Sequence, residues 1–235
     1  MAIIHRNGEK RRRTFLALTF SLISGYVNIL GLLAIGSVFL SFMSGNSMRL
    51  GYHIFNNDWY LVFQYLIIIC SFIFGAFLGD LIKSKLDYDE LFIVLFSEII
   101  LFLLALILSF TSFNETWLQF ALLAIAMGIQ NTAQITINDA TIGKSFVSGV
   151  LYNLGVAFSK MLQKQTDWRP AFLLFISWGC FVIGGFLGTI TITFFSIKQA
   201  LLILLLLLVS LLILLLFLSH RDLQKNKIIV KSVKE

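Results

Sequence analysis

Apolar stretches follow one another along almost the whole chain, separated by short polar or glycine-rich breaks. Eight can be marked off: A (14–35), B (37–55), C (60–82), D (91–110), A′ (117–137), B′ (145–162), C′ (170–195) and D′ (199–219). About 20 apolar residues in a helix cross a hydrocarbon core roughly 30 Å thick, so this pattern predicts an all-α integral membrane protein. The second four segments copy the first four. Gly25 and Asn28 of A match Gly128 and Asn131 of A′ at an offset of 103. In B and B′, "SFMSGNSMRLG" (41–51) matches "SFVSGVLYNLG" (145–155) at 104. In C, Asp58-Trp59, Phe63, Phe72, Gly75 and Gly79 match Asp167-Trp168, Phe172, Phe181, Gly184 and Gly188 at 109. Glycine, asparagine, aspartate and tryptophan are not residues that hydrophobicity alone would align, so a duplicated unit is expected. D and D′ correspond by order only.

Segment B breaks the apolar pattern. It holds Arg49, Asn46, His53 and four serines. An arginine at the centre of a lone spanning helix costs about 2.5 to 3.5 kcal/mol, against about 0.3 to 0.6 gained per Leu, Ile, Val or Phe. Such a segment is tolerated at membrane depth only inside protein or beside a watery cavity. The positive charges point the same way. If all eight segments crossed, Lys83, Lys85, Lys144 and Lys198 would face outward. If B and B′ dip in and return, the near-membrane lysines and arginines other than Lys198 fall on the cytoplasmic side, as the positive-inside rule requires. Six transmembrane helices follow, as an inverted 3+3 repeat with two re-entrant or broken helical segments, the arrangement of many secondary transporters.

Composition agrees. The 235 residues are 58% hydrophobic and 13% charged, with one proline, which excludes a soluble domain and leaves one membrane domain over 1–235. Repeat 1 runs over about 14–110, repeat 2 over about 117–219, and 220–235 is a basic tail. The net charge of +6 gathers at the ends and in short loops, so it orients the chain in a bilayer and does not mark a nucleic-acid partner. The basic start before A resembles a signal peptide, yet the apolar run is long and its glycine and asparagine recur internally, so a retained first helix is expected. Both termini are then cytoplasmic, in a multi-pass protein of a bacterial inner membrane. Cys70 and Cys180 lie in apolar runs without CxxC spacing, and no metal-ligand cluster, phosphate loop or cofactor motif occurs. No metal and no cofactor are expected.

The candidate chemistry lies in A, B and their copies. Ser44-Gly45 and Ser148-Gly149 stand at equivalent places in B and B′, where glycine lets backbone bend or approach a neighbour. Asn46 and Arg49 follow in B. Asn28 in A matches Asn131 in A′, and Gln130, Gln134 and Asn138, four apart, fall on one face of A′ as a polar stripe that cannot face lipid. These groups, Asn28, Ser44, Gly45, Asn46, Arg49, Gln130, Asn131, Gln134, Ser148 and Gly149, are the candidate substrate-binding set. Packing and interhelical hydrogen bonding are the plainer roles for the glycines and amides. Arg49 can neutralise an anionic solute or pair with Glu98; Glu98 is the candidate coupling residue, as a proton carrier. Gly75-x-x-x-Gly79 and Gly184-x-x-x-Gly188 are small-residue helix contacts.

The frame Gly25-x-x-Asn28, Phe39, "MSGN" (43–46) and Gly51, followed by "GIQN" (128–131) and Ser148-Gly149, resembles the bacterial YoaK-like family, a domain of unknown function. The resemblance covers roughly 14–219 and implies a six-span inner-membrane protein with no settled substrate. Asn28 and Ser44 stand where that family typically carries Asp and Thr, and the first exchange removes a carboxylate.

The function expected is a small-solute secondary carrier with its site at the midplane between the repeats, the solute being polar or anionic. A non-transporting scaffold or receptor is the alternative. An intramembrane enzyme is a weaker one, because His5, His53 and His220 form no set with Ser44 or Ser148, so no catalytic residue is assigned. The expected partners are the lipid bilayer and the solute, and the pattern is compatible with a homo-oligomer.

Overall fold

The computed structural model describes residues 2–34, 38–85, 90–110, 116–133, 135–137, 140–142 and 147–234. Among them run α1 (Ala2–Ala34), α2 (Met43–Phe55), α3 (Trp59–Lys85), α4 (Glu90–Leu108), α5 (Thr116–Gln130), β1 (Ile135–Ile137), β2 (Ala140–Ile142), α6 (Val147–Leu162), α7 (Arg169–Phe194) and α8 (Ile197–Lys234). The protein is thus a helical membrane protein, and each expected apolar segment holds one helix. Among the described residues five helices carry stretches long and apolar enough to cross a bilayer: 10–34, 59–84, 91–108, 169–194 and 197–217.

Segment A′ departs from expectation. Its helix, α5, has 15 residues, about 22 Å, and ends at Gln130, seven residues short of the apolar boundary at Ile137. The local chemistry explains the stop. Asn131 donates from Nδ2 to the Met127 carbonyl at 2.9 Å, and Thr132 donates from Oγ1 to that of Ile129 at 2.7 Å, so side chains interact with the carbonyls of the last turn. The β-branched run Ile135-Thr136-Ile137 then pairs with Ala140–Ile142 as an antiparallel ribbon, Ile135 opposite Ile142 and Ile137 opposite Ala140. The i, i+4 stripe expected through Gln130, Gln134 and Asn138 is therefore not a helix face. Gln134 and Asn138 themselves lie outside the described residues, as does Lys144.

α1 and α5 are the core helices. From Phe120 to Gln130 all but Leu122 and Ile125 are buried, and 67% of the most apolar window of α1 is buried, against 28% in α3 and in α7. Each core helix is clasped by the third helix of the other half: α1 packs on α7, and α5 on α3. Glycine makes both contacts possible. A methyl group at Gly25 would strike the Phe181 carbonyl oxygen, and one at Gly184 the carbonyl of Leu22. In the other pair, a methyl at Gly128 would strike the Phe72 carbonyl, and one at Gly75 that of Ile125. Every residue of the first contact maps onto the second at the offsets read from the sequence, 103 for α1 with α5 and 109 for α3 with α7. Gly188 lies against Tyr26 and Gly79 against Ile129, so within each pair the two helices run in the same direction.

The outer faces of α3 and α7 carry large apolar side chains at matched places. Phe63 and Phe172 are exposed, as are Phe77 and Phe186. In water such a belt would drive association; in a bilayer it is the lipid-facing surface.

Candidate functional site

Ser21, Ser24 and Asn28 recur at helical spacing on α1 and are all buried. Ser21 shares a hydrogen bond with Ser177 of α7 at 2.9 Å, and Ser24 one with Ser41 at 2.9 Å. Asn28 is the organising residue. Its Nδ2 donates to the Ser24 carbonyl at 2.8 Å and to Ser41 Oγ at 2.6 Å. Its Oδ1 accepts from the backbone N–H groups of Leu40, Ser41 and Phe42 at 3.0, 2.9 and 3.3 Å. A single amide thus satisfies three main-chain donors that would otherwise be bare at membrane depth.

These bonds fix where the chain turns. Residues 40–42 lie level with Asn28, six residues or about 9 Å back along α1 from its end at Ala34, so the chain has returned before α2 begins. α2 has 13 residues, about 20 Å, too short for a 30 Å core. Asn46, fully buried, pins the turn from the other side: its Oδ1 accepts from the Phe39 N–H at 2.9 Å and its Nδ2 donates to the Phe39 carbonyl at 2.6 Å. Gly45 lies against the Phe42 and Phe39 rings, which a methyl would strike. Ser44 is exposed, and the Arg49 guanidinium sits 5.3 Å from the centroid of the Phe39 ring, a cation–π distance.

In the second half, Asn131 repeats one bond of Asn28. Its Nδ2 donates to Met127, which matches Ser24 at the offset of 103. Gln130 is buried and donates from Nε2 to the Phe20 carbonyl at 3.3 Å, tying α5 to α1. α6 has 16 residues, about 24 Å. Ser148 is exposed and Gly149 half-buried in its first turn. α2 packs on α3, while α6 packs on α7 and β2.

Glu98 stands apart from both groups. It is completely buried on α4, and neither carboxyl oxygen has a hydrogen-bond partner among the described residues, so the bond considered with Arg49 is not made. Gln64 on α3 and Gln119 on α5 also bury amide atoms without a described partner. A cleft of about 10 Å³ lies between the ends of α3, α4 and α5, lined by Gly79, Lys83, Val94, Ile129 and Thr132 among others. No cluster of three or more His, Cys, Asp or Glu that could hold a metal occurs among the described residues.

The arrangement offers two kinds of chemistry. Beside the last third of α1 there is a hydrogen-bonded turn with a hydroxyl and a guanidinium on the short helix that follows it. On α4 there is a buried acid with no hydrogen-bond partner among the described residues. Sequence reasoning passed over Ser21, Ser24, Gln64 and Gln119. The serines had a visible signal, their four- and seven-residue spacing to Asn28 on one helical face. The two glutamines had none, because single polar residues in apolar runs carry no periodicity.

The chain matches, over residues 16–215, the family described as "Protein of unknown function (DUF1275)". It is 31% identical over 173 residues to the UPF0700 transmembrane protein YoaK of Bacillus subtilis (strain 168), a match that covers 69% of this chain and 76% of that one. No solved structure matches it.

Proposed function

The chain belongs to the DUF1275 family and is a membrane protein, and from that premise we propose that it is a secondary carrier for a small polar or anionic solute. The carrier is built from two inverted three-span repeats whose short helices α2 and α6 are the broken elements, with α5 as the sixth, shortened crossing. It sits in the bacterial inner membrane with both ends in the cytoplasm and is not an enzyme.

The observation that carries this reading is the return of residues 40–42 to the level of Asn28, followed by a helix too short to cross. Carriers place their sites at such interrupted helices because backbone freed from a regular helix can bind a solute. The mirrored glycine contacts of α1 with α7 and α5 with α3 support the repeat. Arg49 gives the first short helix its positive charge, which favours an anionic group on the solute. Ser44 and Ser148, exposed at equivalent positions, are the hydroxyls best placed to reach one, with Gly45 and Gly149 beside them. Asn28 and Asn46 hold the backbone from which the first short helix starts, while Gln130 ties α5 to α1 and Asn131 bonds back within α5.

A second reading has its own support. The amides of Asn28 and Asn46 are engaged within the chain, as in a protein whose polar groups serve only its architecture. A thermal-shift screen of the purified full chain against metabolites separates the two. A ligand present at 100 times its Kd stabilises by about 2.7 kcal/mol, and Arg49→Ala abolishes that shift if the carrier reading is right. No stabilising solute and no uptake into proteoliposomes would favour the scaffold.

A further inference from the structure

We propose that Glu98 is a proton-binding site, loaded from the Lys83 end of the bundle through the cleft between α3, α4 and α5. This deepens the carrier reading and rests on it only for what the bound proton drives. α4 turns an apolar stripe into the bundle, Leu91, Val94, Leu95, Phe102 and Ala105, all buried. Glu98 occupies the centre of that stripe, where a leucine would pack without penalty. A carboxylate without a partner at that depth is strongly disfavoured, so the group rests there with its proton on.

The route is read from helical geometry. Val94 forms part of the cleft wall. Glu98 is four residues further along α4, on the same face and about 6 Å deeper. The cleft is large enough for one water molecule. A hydronium that passes inward from the cleft to hydrogen-bond distance of an ionised Glu98 gives its proton to a carboxylate oxygen: one O–H bond breaks, another forms, and the charge on Glu98 is cancelled as neutral water remains. At the cleft itself Thr132 supplies a hydroxyl, whose own proton is held by the Ile129 carbonyl.

The ligand is a proton and not a metal cation. Hard cations take about six or more oxygen ligands, whereas neither oxygen of Glu98 has even one described hydrogen-bond partner that could share in a cage. A proton needs a single lone pair.

Infrared spectroscopy of the full-length protein in lipid tests this without any solute. A carboxylic-acid C=O band is expected in the native protein, is lost in Glu98→Gln, and shifts on transfer to heavy water. Val94→Phe and Ala133→Leu, which fill the cleft from α4 and from the segment just after α5, are expected to slow that shift severalfold while leaving the band in place. Native and Glu98→Gln spectra that coincide in this region overturn the proton site. An exchange rate unchanged in a cleft-filled protein that retains its native elution and helicity overturns the route. Should one filled variant misfold, the other decides the route, and the Glu98→Gln comparison decides the site by itself. None of these outcomes bears on solute binding, which the thermal-shift screen judges separately.

Discussion

Asn28 shows how much one side chain can settle. Its amide takes up two hydrogen bonds as donor and three as acceptor, and the three are main-chain N–H groups of the same turn. Removing the acceptor leaves donors bare where water cannot reach them easily, at about 1 to 3 kcal/mol for a buried group. Asn28→Ala is therefore expected to lower the unfolding free energy in detergent by about 2 kcal/mol or more. Ser47→Ala, which removes only an exposed hydroxyl bond to Met43, should stay within about 0.5 kcal/mol. Equal effects of the two would show that the turn does not depend on Asn28. That Asn28 mattered was legible from its repetition at Asn131. That its hydrogen bonds would go to the backbone of the following turn was not legible, because the partners at 40–42 are brought beside it only by the chain's return.

At the scale of elements, the two glycine-mediated contacts set the geometry. Helices that meet through carbonyl oxygens and glycine Cα atoms cannot admit even a methyl group without moving apart, and overpacking of this kind costs about 1 to 3 kcal/mol. Gly75→Ala and Gly184→Ala occupy matched places, so they are expected to destabilise by similar amounts. Gly51 and Gly155 are also matched, but a methyl at either would meet nothing within 4 Å. Gly51→Ala and Gly155→Ala are expected to be neutral or to stabilise by up to about 1 kcal/mol, since alanine favours helix. Unfolding midpoints of the four variants check this, and a reversed order would remove the glycine contacts as the organising feature. The spacing Gly-x-x-x-Gly announced close helix contacts. Which helix would be contacted was hidden, because small residues specify proximity without naming a partner.

The whole molecule raises the question of parity. Among the described residues five helices are long and apolar enough to cross, and α5 is short. If α5 completes a crossing, the ends of the chain lie on the same side; if it does not, they lie on opposite sides. The inverted-repeat proposal requires the same side. Reporter fusions at the two ends should both read cytoplasmic, and a cysteine at Asn57 should be labelled from outside while one at Lys83 is not. A tail read on the outer side would end the six-crossing scheme and the carrier reading with it.

The sequence by itself determined that this is a helical membrane protein, where most of its helices lie, which family it joins, and that its halves share a frame. Those properties follow from local hydrophobicity and from residue identity at fixed offsets, which need no knowledge of what packs on what. Only the tertiary structure decided that α1 clasps α7 and α5 clasps α3 across the halves, that A′ stops at Gln130 and continues as a ribbon, and that Glu98 has no hydrogen-bond partner among the described residues. Each of these depends on which distant groups arrive beside a residue. A buried acid has a partner or lacks one only once the whole bundle has closed around it.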